Sequence, residues 1–293
     1  MKLFAFAIVC SLQVASAQPP GRCSQGLPAL SKALGQTTGK AQRKSIALDI
    51  VRCATDAGAS DVAVSAMQTL VRENPGDPEV LYRAVHFYSN LSIQASRELM
   101  VRAPASAQTH LLSAESLEAQ GKWADAASEY RGILEREPNL EGIHFRLGRL
   151  ILSQAPTPTT EAEARVELEA ELKINPANTE AEYVLGELDR QAEQWPSAAE
   201  HFRRAAKLDA AFAEAQLGLG RALLGAGKPV EAIAPLEAAV RLQGSNPATH
   251  FQLAAAYRKA GRKADADRAM QAYERSTQKM HQLSDSVHQG LRQ

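Results

Sequence analysis

Apolar, small and polar positions recur along this chain at a helical spacing, and the helical pattern itself recurs at a longer one. Ala198, Ala232 and Ala266 step by 34 residues, and Leu185-Gly186, Leu219-Gly220 and Leu253-Ala254 keep the same step. Large or apolar residues follow the alanine four and seven places on: Tyr130 and Ile133 after Ala126, Phe202 and Ala205 after Ala198. That spacing lines one face of a helix. A fixed period of this length marks a repeat architecture, in which each unit buries its apolar face against its neighbours. The pattern therefore predicts a stack of helical hairpins with no single catalytic core.

The register extends backwards. Ala164 lies 34 before Ala198, and Ala126 lies 38 before Ala164. The four extra residues fall in the turn-forming run Ala155-Pro156-Thr157-Pro158-Thr159-Thr160, so the insertion is expected in a loop. A turn precedes each alanine: Gly121-Lys122-Trp123, Gly227-Lys228-Pro229 and Gly261-Arg262-Lys263, with Glu193-Gln194-Trp195 as a variant. Glycine there lets the chain enter the left-handed region without a Cβ clash. Small residues where helices cross let the backbones approach. Pro75, Pro104, Pro138 and Pro176, then Ala210, close the units, and a proline stops the helix before it.

These residues resemble the tetratricopeptide repeat family: Leu147-Gly148, Leu185-Gly186 and Leu219-Gly220, the alanine set, Tyr130 and Phe202, and the closing Pro138 and Pro176. The resemblance implies an all-α, right-handed superhelical solenoid of antiparallel helix pairs. It covers residues 105–276 in five units, 105–138, 139–176, 177–212, 213–246 and 247–276. Residues 41–104 are expected to form two divergent pairs, 41–75 and 77–104, between an N-terminal segment, 18–40, and the repeats. A polar C-terminal cap, 277–293, is expected after them. Asp189, where a large apolar residue is usual, and Ser113, in place of the leucine, depart from the family pattern.

The first 17 residues read as a secretory signal peptide: Lys2, a short apolar run Leu3 to Val14, and the small-x-small site Ala15-Ser16-Ala17 before Gln18. The competing reading is an N-terminal anchor, but the apolar run is short for a bilayer. Cleavage removes Cys10 and leaves Cys23 and Cys53. In an exported protein such a pair reads as a disulfide, the alternative being two buried thiols. The expected location is the periplasm if the host is bacterial and the secreted space otherwise, with no stable membrane insertion after cleavage.

Composition adds exclusions. Lysine plus arginine number 33 and aspartate plus glutamate 33, with no basic stripe, which argues against nucleic acid as a partner. His110, His144 and His250 share one repeat position. Equivalent helices stand roughly 10 Å apart or more, too far for one ion's ligand shell, so these read as packing histidines and no metal site is assigned. The run Glu161, Glu163, Glu167, Glu169, Glu171 reads as a solvated helix face. No nucleophile elbow, zinc motif or phosphate loop is present, so no catalytic residue and no cofactor is assigned.

What remains is the inner face. In the family, the first helix of each pair lines a groove. Carried over residue by residue, its contact places fall on Leu111, Glu115 and Glu118, then Phe145 and Arg149, then Tyr183, Glu187 and Arg190, then Leu217, Arg221 and Leu224, and then Phe251 and Arg258. Aromatics and arginines are the side chains that most often carry interface energy. The lysine-and-asparagine clamp of co-chaperone repeats is missing. The reading is a non-enzymatic exported scaffold that binds a protein or peptide ligand. Two alternatives stay open: a self-associating structural subunit of an envelope complex, and an enzyme or ligand-binding protein with unrecognised chemistry.

Overall fold

The computed structural model describes residue 23 and residues 26–154 and 157–290. The expected signal peptide lies outside the described residues. Among those described, fourteen α-helices form, and the chain divides into two compact units, 1–98 and 99–293.

In the first unit, α1 (Leu27–Gln36), α2 (Lys40–Asp56), α3 (Ser60–Glu73) and most of α4 (Pro78–Arg102) enclose a small core. Leu30, Ile46, Ile50, Met67, Leu70 and Val80 are almost fully buried in it. Cys23 and Cys53 are disulfide-bonded, with Cα atoms 5.4 Å apart. Arg43 binds the chain on both sides of it. Its Nε donates to Glu73 at 3.0 Å, and its Nη1 to the Leu34 and Thr37 carbonyls at 2.8 and 3.0 Å. Lys44 pairs with Asp77 and Glu79, each at 2.8 Å.

The expected pair over 77–104 is instead the single helix α4. No glycine or proline interrupts the sequence between Pro78 and Pro104, so nothing there turns the chain. Asp77 starts the helix by accepting from the backbone N–H groups of Glu79 and Val80.

The second unit follows the repeat. Its hairpins are α5 (Ala107–Ala119) with α6 (Trp123–Arg136), α7 (Ile143–Leu152) with α8 (Pro158–Ile174), and α9 (Thr179–Gln191) with α10 (Trp195–Leu208). Then come α11 (Ala213–Gly225) with α12 (Pro229–Leu242), and α13 (Pro247–Lys259) with α14 (Lys263–Gly290). Ala126, Ala164, Ala198 and Ala232 are fully buried, as are Tyr130 and Phe202. Gly121, Gly227 and Gly261 turn the hairpins with φ of 71°, 72° and 77°, and Glu193 adopts φ 55° at the equivalent place. Gly186 and Gly218 flank the Phe202 ring so closely that an added Cβ would lie 2.9 and 2.6 Å from it.

Each second helix from α6 to α12 closes on a residue in register, Glu137, Asn175, Asp209 or Gln243, whose N–H returns to the carbonyl four residues back. The proline after Glu137 and after Asn175 drives that residue out of the helical region.

The structure departs from the sequence reading at three further places. The inserted loop is shorter than 155–160: Pro158 begins α8, and Thr157 and Thr160 form a reciprocal capping box. The stretch from 277 continues α14 to Gly290, exposed over 278–284, rather than forming an element of its own. The acidic run of α8 is not one solvated face. Glu163 and Glu169 are exposed, but Glu171 is fully buried. Its carboxylate caps α7, accepting from the Gly142 N–H at 2.9 Å, the Phe145 N–H at 3.3 Å and the Asn178 side chain at 3.1 Å. A helix N-terminus favours such a charge, and this one has no cap of its own.

Candidate functional site

The hairpins of the second unit are layered. α11 touches both α9 and α13, while the second helices α6, α10 and α12 pack on the first helices before and after them, as α8 does on α7 and α9. The first helices α9, α11 and α13 thus form a continuous row, and the carried-over residues of the last three units lie along it.

On α9, Tyr183 is half-buried, its ring 4.9 Å from that of Phe212 and 5.7 Å from that of Phe202. Burial raises its phenol above the ordinary tyrosine range, and Glu187 and Glu214 add to the rise while Arg221 and Arg190 oppose it. Glu187 accepts from Arg190 Nε at 3.0 Å and Nη2 at 2.8 Å, a bond that holds the guanidinium above its usual range. On α11, Arg221 is partly buried and its Nε has no hydrogen-bond partner among the described residues. Tyr183, Glu187, Arg190 and Arg221 are therefore brought together where α9 and α11 meet.

The other expected residues are dispersed. Leu217 is 8% exposed and belongs to the core, as does Leu224. Phe145 packs against Leu168, Ala181, Leu185 and Leu188, and Arg149 is exposed beyond it. Phe251, 44% exposed, meets Tyr273 of α14 at 5.7 Å, and Arg258 is exposed. Glu115 pairs with Arg146 at 2.9 Å, and Glu118 accepts from the Tyr130 hydroxyl. Burial and that carboxylate push the Tyr130 phenol up to about 12. Phe212 and Glu214 also border Tyr183, and the repeat register does not mark them. They precede and open α11, and only the tertiary packing carries them to the site.

Three histidines bond within hairpins, while His250 Nε2 bonds the Gly244 carbonyl between α12 and α13 at 2.9 Å. His110 Nδ1 meets Glu129 at 2.6 Å, and His144 Nδ1 meets Glu167 at 2.6 Å. One unit on, the partners exchange places: Glu182 stands on the first helix and His201 on the second, again 2.6 Å apart. Among the described residues no cluster of three or more histidine, cysteine or acidic groups is placed to hold a metal.

A charged knot sits behind this exchange. Asp189 is fully buried, pairs with Arg165 at 2.6 Å, accepts from the Ser197 hydroxyl, and lies 3.8 Å from His201 Nε2. The serine hydroxyl is thus committed to a carboxylate that is itself held by an arginine. The knot ties α8, α9 and α10 together.

The first unit holds an open cleft of about 800 Å³ between α2 and α4, with Lys44, Arg52, Arg83, Tyr82 and His86 in its wall. Arg52 bonds Asp49 at 3.0 Å, and the Tyr82 and His86 rings meet edge to face at 4.5 Å. No repeat register points to it.

Two stretches, residues 183–248 and residues 108–139, match the tetratricopeptide repeat family. No curated protein matches in sequence. Solved structures do match in fold. A MamA protein is 18% identical, with 60% of this chain and 94% of that one covered and a TM-score of 0.54. MamA from Desulfovibrio magneticus RS-1 is 17% identical, with 59% and 96% covered and a TM-score of 0.53. YrrB, described as a TPR protein with an unusual peptide-binding site, is 18% identical, with 67% and 98% covered and a TM-score of 0.55. Likeness at these identities is a likeness of fold: a helical solenoid of repeats.

Proposed function

We propose that this chain, a tetratricopeptide repeat protein, is a non-enzymatic exported scaffold that binds a protein or peptide along its row of first helices. The fold supports a protein-interaction module. One observation carries the choice of face. Tyr183, Arg190 and Arg221 lie on α9 and α11, which contact one another, and Arg221 there keeps a buried donor with no acceptor among the described residues. A groove between units is where such a surface meets an extended or helical partner.

Export rests on the cleavage site after Ala17 and on the Cys23–Cys53 bond, since disulfides persist in oxidising compartments. In a bacterium the compartment is the periplasm. Mass spectrometry of the protein made in its host is expected to find Gln18 as the first residue. An intact Met1 in the mature protein would contradict export by this route.

The binding function is tested by crosslinking capture from envelope extract. The mature protein is one bait, and the same chain carrying Tyr183→Ala and Arg221→Glu is the other. A partner held by the first and lost by the second supports the first-helix face. A partner held equally by both moves the interface elsewhere.

A second reading, self-association through the end of the array, draws on Met280 and Leu283, 53% and 66% exposed on α14. A monomer in sedimentation at high concentration would exclude it.

A further inference from the structure

If the first-helix face is the binding surface, the partner's chemistry follows from which of its charges are already matched. Four acidic groups of the first helices are engaged. Glu115 pairs with Arg146, Glu118 holds the Tyr130 hydroxyl, Glu187 pairs with Arg190, and Glu214 accepts from the Gln243 side chain at 2.6 Å. Three arginines are different. Arg149, Arg221 and Arg258 make no side-chain hydrogen bond or ion pair among the described residues.

Arg221 stands out among them. Its Nε is buried without an acceptor, so the folded chain bears the desolvation of a charged donor and lacks the bond that would offset it. Leu217 and Leu224, four residues before and three after, are buried, which sets Arg221 at the rim of the core. Tyr183 lies on α9, which contacts α11 directly, and its ring meets that of Phe212, the residue before α11, at 4.9 Å.

Position within the repeat matters too. Glu115, Arg149, Glu187 and Arg221 are equivalent residues, 34, 38 and 34 apart, so unmatched basic groups recur at every second unit. Arg149 and Arg221 lie on first helices two units apart, roughly 20 Å if each first helix stood at an ordinary packing distance from the next, about the reach of six extended residues.

We propose that the first-helix face takes an acidic, extended peptide segment, with Arg221 donating to one of its carboxylates and Tyr183 packing beside that contact. The Nε and Nη2 edge of a guanidinium matches the two oxygens of a carboxylate in a single plane. Arg149 receives a second carboxylate about six residues away along the segment. The inference rests on the groove reading above and adds the charge and spacing of the ligand. Mixed electrostatics of this kind set selectivity and arrival rate more than total affinity.

The test is fluorescence anisotropy with the purified mature protein and three dye-labelled peptides, each about twelve residues long to span the face. All share a glycine, serine and leucine background. One carries two glutamates about six positions apart, and the others carry lysines or glutamines in their place. The protein variants are Arg221→Gln, Tyr183→Ala and, on the second-helix side, Arg203→Gln. Far-UV circular dichroism establishes that each is folded.

The glutamate peptide is expected to bind at least about tenfold more tightly than the other two and to weaken with salt. Arg221→Gln is expected to remove about tenfold of that affinity, with Arg203→Gln near wild type. Equal binding of all three peptides that is still lost with Tyr183→Ala would keep the face and overturn the acidic ligand. Glutamate-peptide binding that survives both Tyr183→Ala and Arg221→Gln would overturn the face itself. Binding of none of the peptides would overturn the inference and leave the groove reading to the capture experiment.

Discussion

Hairpins α9–α10 and α11–α12 stand 34 residues apart in register, and at equivalent positions they carry Asp189 and Leu223, Glu182 and Gln216, His201 and Pro235, Glu193 and Gly227. The first is knit by charge: Asp189 to Arg165 of the preceding helix, and Glu182 to His201. The second is apolar at the same depth, with Leu223 and Ala199 in one core. Their backbones nevertheless follow one plan. Ala198 and Ala232 are both fully buried at the crossing, and Phe202 lies between Gly186 of one hairpin and Gly218 of the other.

The difference teaches which positions specify the fold. Small residues at the crossings and a large one between them set how near the helices come. The residue that fills the space at the rim can be leucine or a carboxylate, provided the carboxylate brings its cation. The His–Glu exchange between units makes the same point. The pair is kept while its polarity reverses, from His144–Glu167 to Glu182–His201.

The shared element should be the most sensitive. Phe202→Ala removes a fully buried ring from between two hairpins and is expected to cost about 3–5 kcal/mol in urea unfolding. Phe251→Ala, at a half-exposed ring, is expected to cost well under half of that. Equal costs would mean that Phe202 is not the keystone of the stack.

Next in size is the charged knot. Asp189→Ala leaves Arg165 facing a buried void and is expected to cost about 3 kcal/mol. Asp189→Leu with Arg165→Ala copies the Leu223 and Ala199 of the following unit and is expected to recover most of the loss. Replacing a buried pair by matched apolar groups is often neutral or stabilising. A double variant as unstable as the single would show that the knot has no apolar substitute.

The smallest effect lies in the turn. Glu193 sits at φ 55° where the hairpins α5–α6, α11–α12 and α13–α14 have glycine. Glu193→Gly is expected to stabilise by about 1 kcal/mol, because glycine adopts that region without strain. A loss of stability would mean that the glutamate side chain compensates for its own backbone.

Much of this is legible in the sequence, for a physical reason. Ala126, Ala164, Ala198 and Ala232, the turn glycines and the closing prolines act through backbone geometry, which is local. The repeat register therefore locates the hairpins of the second unit. Extending the same period makes residues 77–104 a pair, although no glycine or proline lies between Pro78 and Pro104, and local chemistry prevails there as α4.

Contacts between helices are not legible in this way. Glu171 is spaced like its solvated neighbours on α8, yet it points at the open N-terminus of α7. Asp189 is visible as a departure from the repeat, but its partner Arg165, on another hairpin, is not. The carried-over groove positions do lie on first helices. The rotation of each helix then decides exposure, and it buries Leu217 while leaving Phe251 half open.

The central claim is that a partner lies on the row of first helices. It is tested most directly by placing a photo-crosslinking phenylalanine derivative at Tyr183 in one protein and at Arg203, on the second-helix side, in another. Both are then irradiated in the envelope of living cells. A discrete adduct from position 183 and none from 203 is the predicted result. An adduct from 203 alone would contradict it and put the binding surface on the opposite side of the array.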